Sequence, residues 1–96
     1  MMVVVAYDVN TETPAGKRRL RSVAKICMKY GQRVQNSVFE CSVSPSDYLL
    51  LVHDLLKILS DDEDSLRFYK LGTRYETKIE HYGRTRNLPV DDVMMI

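Results

Sequence analysis

The first eight residues, Met1-Met2-Val3-Val4-Val5-Ala6-Tyr7-Asp8, set the tightest limit on the fold. An apolar, β-branched run without polar alternation predicts a strand covered on both faces, and it stops abruptly at a carboxylate. An acid at the C-terminal end of such a strand sits where a sheet opens to solvent. There it can meet a metal ion or a phosphate without the full desolvation cost of a buried charge. Asn10, Thr11 and Thr13 follow at once, so Asp8 borders a polar loop.

Helical and strand periodicities alternate along the rest of the chain. The first strand covers residues 2–7. Thr13 is placed to cap a helix with Pro14 at its first position, running to about Tyr30 and stopping at Gly31. Leu20, Val23, Ala24, Cys27 and Tyr30 keep the spacing of one buried stripe. Residues 33–35 and 38–43 read as short strands around Asn36-Ser37, a turn or bulge. Ser44, Pro45 and Asp47 open a second helix with a capping-box pattern, its expected buried face being Tyr48, Val52, Leu55, Leu56 and Leu59. Residues 65–71 alternate as a strand before Gly72, and residues 75–82 are expected to form a further, charge-rich edge strand.

The resulting order predicts an α+β, ferredoxin-like βαββαβ domain with an additional C-terminal strand. The domain occupies residues 1–82, and residues 83–96 form a C-terminal tail. That tail ends in Val93-Met94-Met95-Ile96, which either packs on its own domain or adds a strand to the sheet of a second protomer. At 96 residues the core is small, and a second chain that completes it would suit such a length.

A net charge of +1 hides a strong asymmetry. No acid lies between Glu12 and Glu40, yet Lys17, Arg18, Arg19, Arg21, Lys25, Lys29 and Arg33 do, which argues for an anionic partner. Arg18, Arg21, Lys25 and Lys29 share one face of the first helix at about 100° per residue. Surface helices usually mix signs, so this uninterrupted stripe reads as a phosphate-backbone track, the competing explanation being an ordinary solvated face. The acidic run Asp61, Asp62, Glu63 and Asp64 reads as a solvated loop. An EF-hand loop would need Gly and Glu where Leu66 and Gly72 stand.

Asp8 is the acid expected to bind metal. Mg²⁺ commonly keeps several waters with one or two carboxylates, so a single Asp per chain suffices only if a two-fold axis beside the first strand brings in a second copy. The alternative is a strand-ending Asp that accepts hydrogen bonds from loop amides. His53 and His81 have no acid–nucleophile constellation, and no Gly-rich phosphate loop, serine elbow or zinc pattern occurs. Cys27 and Cys41 show no ligand spacing and read as small core residues of a reduced protein. The N-terminal run is too short for a signal peptide and no segment approaches the ~20 apolar residues of a membrane helix, so a soluble, cytoplasmic protein without membrane contact is expected.

The Tyr7-Asp8 strand end, the basic helix, and then Tyr30-Gly31-Gln32-Arg33-Val34-Gln35-Asn36-Ser37-Val38-Phe39-Glu40 together resemble the Cas2 family, the smaller of the two universal CRISPR-associated spacer-adaptation proteins. The likeness runs through the strand around Tyr69-Lys70-Leu71. It implies a homodimer whose two sheets face each other, with Asp8 from each protomer approaching a shared Mg²⁺ or other divalent ion. It implies supporting roles for Tyr7, Arg33, Ser37 and Phe39, and nucleic-acid contacts among Arg18, Arg19 and Arg21. The implied activity is metal-dependent hydrolysis of phosphodiester bonds in double-stranded DNA or RNA, in a complex with the larger adaptation integrase. Two alternatives stand beside it: a non-catalytic dimeric DNA-binding scaffold that bridges integrase dimers, and a toxin-like ribonuclease.

Overall fold

The computed structural model describes residues 1–84. The chain runs β1 (Met2–Asp8), α1 (Pro14–Cys27), β2 (Gly31–Gln35), β3 (Val38–Ser42), α2 (Pro45–Ile58) and β4 (Ser65–Gly72). The strands form one sheet in the order β2-β3-β1-β4, with every neighbouring pair antiparallel. This is the expected ferredoxin-like βαββαβ arrangement. β3 is inserted between β1 and β2, and β1 between β3 and β4.

Crossovers between parallel strands are right-handed, so both helices land on the same face of the sheet. The core lies between: Val3, Val5, Tyr7, Phe39 and Cys41 from the strands meet Leu20, Val23, Ala24 and Cys27 of α1 and Leu51 and Leu55 of α2. Strand residues alternate between faces, so Val4, Ala6 and Asp8 point to the other, helix-free side. Val4 and Ala6 are only half-buried there and Asp8 is exposed. Hence β1 is covered on one face, not on both as its unbroken apolar run suggested.

Local signals start both helices as anticipated. The Gly16 amide donates to Thr13 Oγ1 at 3.0 Å and the Asp47 amide to Ser44 Oγ at 3.1 Å, with Pro14 and Pro45 at the first helical turns. α1 ends at Cys27, one turn before the expected stop at Tyr30. The Lys29 and Tyr30 amides close on the carbonyls of Ile26 and Cys27, the tighter i to i−3 pattern common at helix ends. Tyr30 then offers its carbonyl to the Ser42 amide at 2.9 Å, which joins the chain to the sheet. Gly31 is needed at this entry, because a Cβ there would lie 1.8 Å from the Glu40 carbonyl oxygen.

The buried face of α2 is also rotated from the expected one. Leu51 and Leu55 are fully buried, Leu56 is 54% exposed, and Tyr48, Val52 and Leu59 are half-buried. Tyr48 packs edge-on against Phe68, ring centroids 5.9 Å apart. Residues 75–82 are not a strand. Gly72, at φ +80°, turns the chain out of β4, and a turn closed by the Lys78 amide on the Tyr75 carbonyl at 2.9 Å follows. This charged segment finds no strand partner among the described residues, and an edge strand cannot form without one. The apolar end of the 83–96 tail, residues 93–96, expected either to pack on its own domain or to add a strand to a partner, lies outside the described residues. Cys27 and Cys41 are both free and buried in the core, as expected. Among the described residues no helix is long and apolar enough to cross a membrane.

Candidate functional site

A cleft of about 280 Å³ opens at the C-terminal end of β1 on the helix-free face. The register explains its make-up. Asp8 stands opposite Ser65 of β4, while Ala6 stands between Arg67 of β4 and Val38 of β3. The Tyr7 amide donates to the Ser37 carbonyl at 2.9 Å, so the β2–β3 turn is drawn up against the end of β1 and Ser37 joins the lining. The polar side chains at the cleft are thus Asp8, Ser37, Ser65 and Arg67, with Ala6 and Val38 as its apolar floor. Asp8 is the one acid among the lining residues.

The remaining expected site residues sit behind the sheet. Arg33 is 4% exposed and pairs across the strands with Phe39 on the covered face. Its Nε donates to the Asn36 carbonyl at 2.7 Å, and its guanidinium lies 5.7 Å from the centroid of the Phe39 ring. Phe39 is itself fully buried. Arg33 therefore clamps the turn that carries Ser37, and its burial keeps it from reaching a polynucleotide backbone directly. Tyr7 is also buried, and its phenol donates to Asp64 on the helix side. Of the five residues expected at the site, Asp8, Ser37 and Tyr7 line the cleft, Tyr7 with its phenol turned to the helix side, while Arg33 and Phe39 lie behind the sheet.

The same geometry divides the basic helix. Arg18, Arg21, Lys25 and Lys29 are exposed, Lys29 in the turn just past α1. Their stripe faces away from the buried one, and α1 packs on the far side of the sheet from Asp8, so the stripe and the cleft lie on opposite sides of the molecule. Arg19 points elsewhere. Its Nε and Nη2 grip Asp64 at 2.8 and 3.0 Å, and Nη2 also reaches Glu63 at 3.0 Å. The Asp64 side chain is fully buried, and it also accepts the Ser60 amide at 3.1 Å.

Asp64 is thus no solvated loop acid. Burial alone would raise its pKa, but the hydrogen bonds from Arg19, Tyr7 and the Ser60 amide outweigh this and hold the carboxyl below the usual range. Burial, helped by the Asp64 hydrogen bond, pushes the Tyr7 phenol above its ordinary value. The sequence carried one signal for this cluster: a tyrosine in an otherwise apolar strand needs a partner for its hydroxyl, and buried tyrosines usually find one.

Among the described residues no three His, Cys, Asp or Glu side chains gather into a ready-made metal cage. Asp8 with the hydroxyls of Ser37 and Ser65 is an all-oxygen set. It suits a hard divalent ion that keeps most of its waters and draws a second carboxylate from elsewhere.

Residues 1–79 match the family profile for CRISPR associated protein Cas2. A Chlorobaculum tepidum protein named CRISPR-associated endoribonuclease Cas2 is 57% identical over 83 residues, 86% of each chain. One from Halalkalibacterium halodurans named CRISPR-associated endonuclease Cas2 is 45% identical over 95 residues, 99% of each chain. The crystal structure of Streptococcus pyogenes Cas2 at pH 6.5 superposes with a TM-score of 0.80 at 58% identity, covering 86% of this chain and all of that one.

Proposed function

The chain belongs to the CRISPR-associated protein Cas2 family, and on that premise we propose that it is a divalent-metal-dependent endonuclease of CRISPR spacer adaptation. The observation that carries this reading is the exposed Asp8 at the mouth of an otherwise acid-free cleft. Relatives named as endonucleases and endoribonucleases support it.

The working unit is a homodimer. The helix-free face carries an apolar strip of Val4, Ala6 and Val38, half-buried in the single chain. A second copy facing that strip supplies the second Asp8 and leaves the cleft between the two sheets. The two carboxylates would hold Mg²⁺ or a similar divalent ion, and the Ser37 and Ser65 hydroxyls at the cleft would hydrogen-bond a phosphate oxygen. Such an ion, when bound, supplies Lewis-acid polarisation of the phosphodiester. Arg33 acts indirectly, by fixing the turn that presents Ser37. The outer stripe of Arg18, Arg21, Lys25 and Lys29 tracks a second stretch of backbone on the opposite surface and, with the larger adaptation integrase, places the protein on nucleic acid.

The test is cleavage of labelled single-stranded RNA, single-stranded DNA and duplex DNA with and without Mg²⁺, run on the wild type and on Asp8→Asn. Abolished cutting with retained fold and dimer supports the reading, and undiminished cutting by Asp8→Asn refutes it. The exposed basic stripe favours a second reading, a DNA-binding scaffold with the chemistry left to the integrase. In that case the double substitution Arg18→Glu with Lys25→Glu abolishes spacer acquisition while Asp8→Asn leaves it intact.

A further inference from the structure

We propose that Arg67 is the side chain that grips the reacting phosphodiester in the Asp8 cleft. The inference rests on the nuclease reading and sharpens it by naming the cation the cleft uses. A phosphodiester that reaches Asp8 brings a second negative charge beside the carboxylate, and a cation at the cleft offsets that repulsion. None of the basic residues singled out in the sequence can do this within one chain. Arg33 is buried behind the sheet and bound to Asn36, Arg19 is committed to Asp64 and Glu63, and the α1 stripe faces the other side. Arg67 is the one cation among the residues that line the cleft.

Its placement suits the task. Arg67 is directly opposite Ala6, so it lies on the cross-strand diagonal from Asp8, at a backbone spacing of about 7–8 Å. Among the described residues it forms no ion pair with that carboxylate, and its guanidinium rests instead toward Tyr69, opposite Val4. Ala6 presents only a methyl group between the two, which leaves the long Arg67 side chain free to lie over the sheet. Tyr69, two residues along on the same face, accepts a hydrogen bond from Arg67 Nη1 at 3.3 Å. This steadies the guanidinium and leaves most of its five N–H groups for a ligand, in a fork that matches two phosphate oxygens.

The decisive measurement is the salt dependence of binding for fluorescein-labelled phosphorothioate oligouridine and oligothymidine, read by anisotropy on the full chain with Mg²⁺ present. Neutralising one phosphate fewer lowers the slope of log K against log salt by about 0.7 on a single strand. Arg67→Ala is expected to show that smaller slope and to bind about tenfold more weakly, as befits the removal of one charge-assisted bidentate grip. Arg67→Lys keeps the charge and hence the slope, but cuts more slowly for want of the fork. Circular dichroism and gel filtration establish that each variant is folded and dimeric. If Arg67→Ala disturbs assembly, the Arg67→Lys pattern of retained slope and reduced kcat carries the test. An unchanged slope in folded Arg67→Ala overturns the inference, whatever Asp8→Asn does. A lowered slope supports it, and cleavage by Asp8→Asn separately decides whether the cleft is a nuclease site.

Discussion

Replacing Asp64 with alanine removes the carboxylate on which three parts of the chain converge: the Tyr7 phenol of β1, the Arg19 guanidinium of α1 and the Ser60 amide beyond α2. The change leaves a buried phenol and amide without an acceptor and takes away the counter-charge of Arg19. Breaking one side of a buried ion pair costs about 3–5 kcal/mol. Arg19 retains some access to water and keeps Glu63, whose side chain is mostly exposed, so the lower end applies, about 3 kcal/mol. For a domain held by about 5–15 kcal/mol this is a large fraction. At about 4–8 °C per kcal/mol for this size it lowers Tm by about 12–24 °C. Urea unfolding followed by circular dichroism measures the difference directly, with Asp61→Ala as a control expected within about 0.5 kcal/mol because that acid is exposed. Pairing Arg19→Met with Asp64→Leu should recover part of the stability, since an apolar pair leaves no stranded charge. If Asp64→Ala unfolds at the same urea concentration as Asp61→Ala, the network does not hold the three elements together and the reasoning is wrong.

Three further outcomes are expected. Asp64 has its folded pKa lowered, so its contribution is complete above the unfolded carboxylate value of about 3.9 and is lost as pH falls through the folded value. Tyr7 has its folded pKa raised, so its contribution is complete below about 10 and is lost as pH rises beyond it; a Tm–pH profile should show both limbs, and Asp64→Ala should lack this residue's share of the acid one. Gly31→Ala drives a methyl into the Glu40 carbonyl and should cost about 1–3 kcal/mol, toward the upper end because the obstacle is backbone; the urea midpoint reads it. Leu55→Ala should cost about 2–5 kcal/mol and Leu56→Ala about 0.5 kcal/mol or less in the same assay, because the first side chain is buried and the second faces water.

Element order, both helix starts and the position of Asp8 were legible because each rests on short-range chemistry: a capping hydroxyl, a proline at the first turn, a β-branched run. What depended on three dimensions was harder to read. The α1 stop was missed because Tyr30 continues the apolar spacing even though the chain has already turned toward the sheet at Cys27. Leu51, Leu55 and Leu56 all carry the same side chain, and only the angle at which α2 meets α1 decides which of them is buried. The site shows the same division. Ser65 and Arg67 lie more than fifty residues from Asp8 and become its neighbours through strand pairing alone. Arg33 carries an ordinary cationic signature, and its burial over Phe39 turns it from a ligand-binding group into a clamp. Asp64 looked like its three acidic neighbours in sequence because nothing local distinguishes the one that Arg19 and Tyr7 reach.

Because the sheet is a single layer, parity along β1 separates two kinds of evolutionary freedom. Val3, Val5 and Tyr7 are locked into the helix-side interior, so changes at odd positions carry a stability cost whatever the protein is asked to do. Val4, Ala6 and Asp8 look the other way, and what they meet is set by whatever comes to that surface. Specificity can therefore drift at even positions, and at their cross-strand neighbours on β4, without the interior having to be rebuilt.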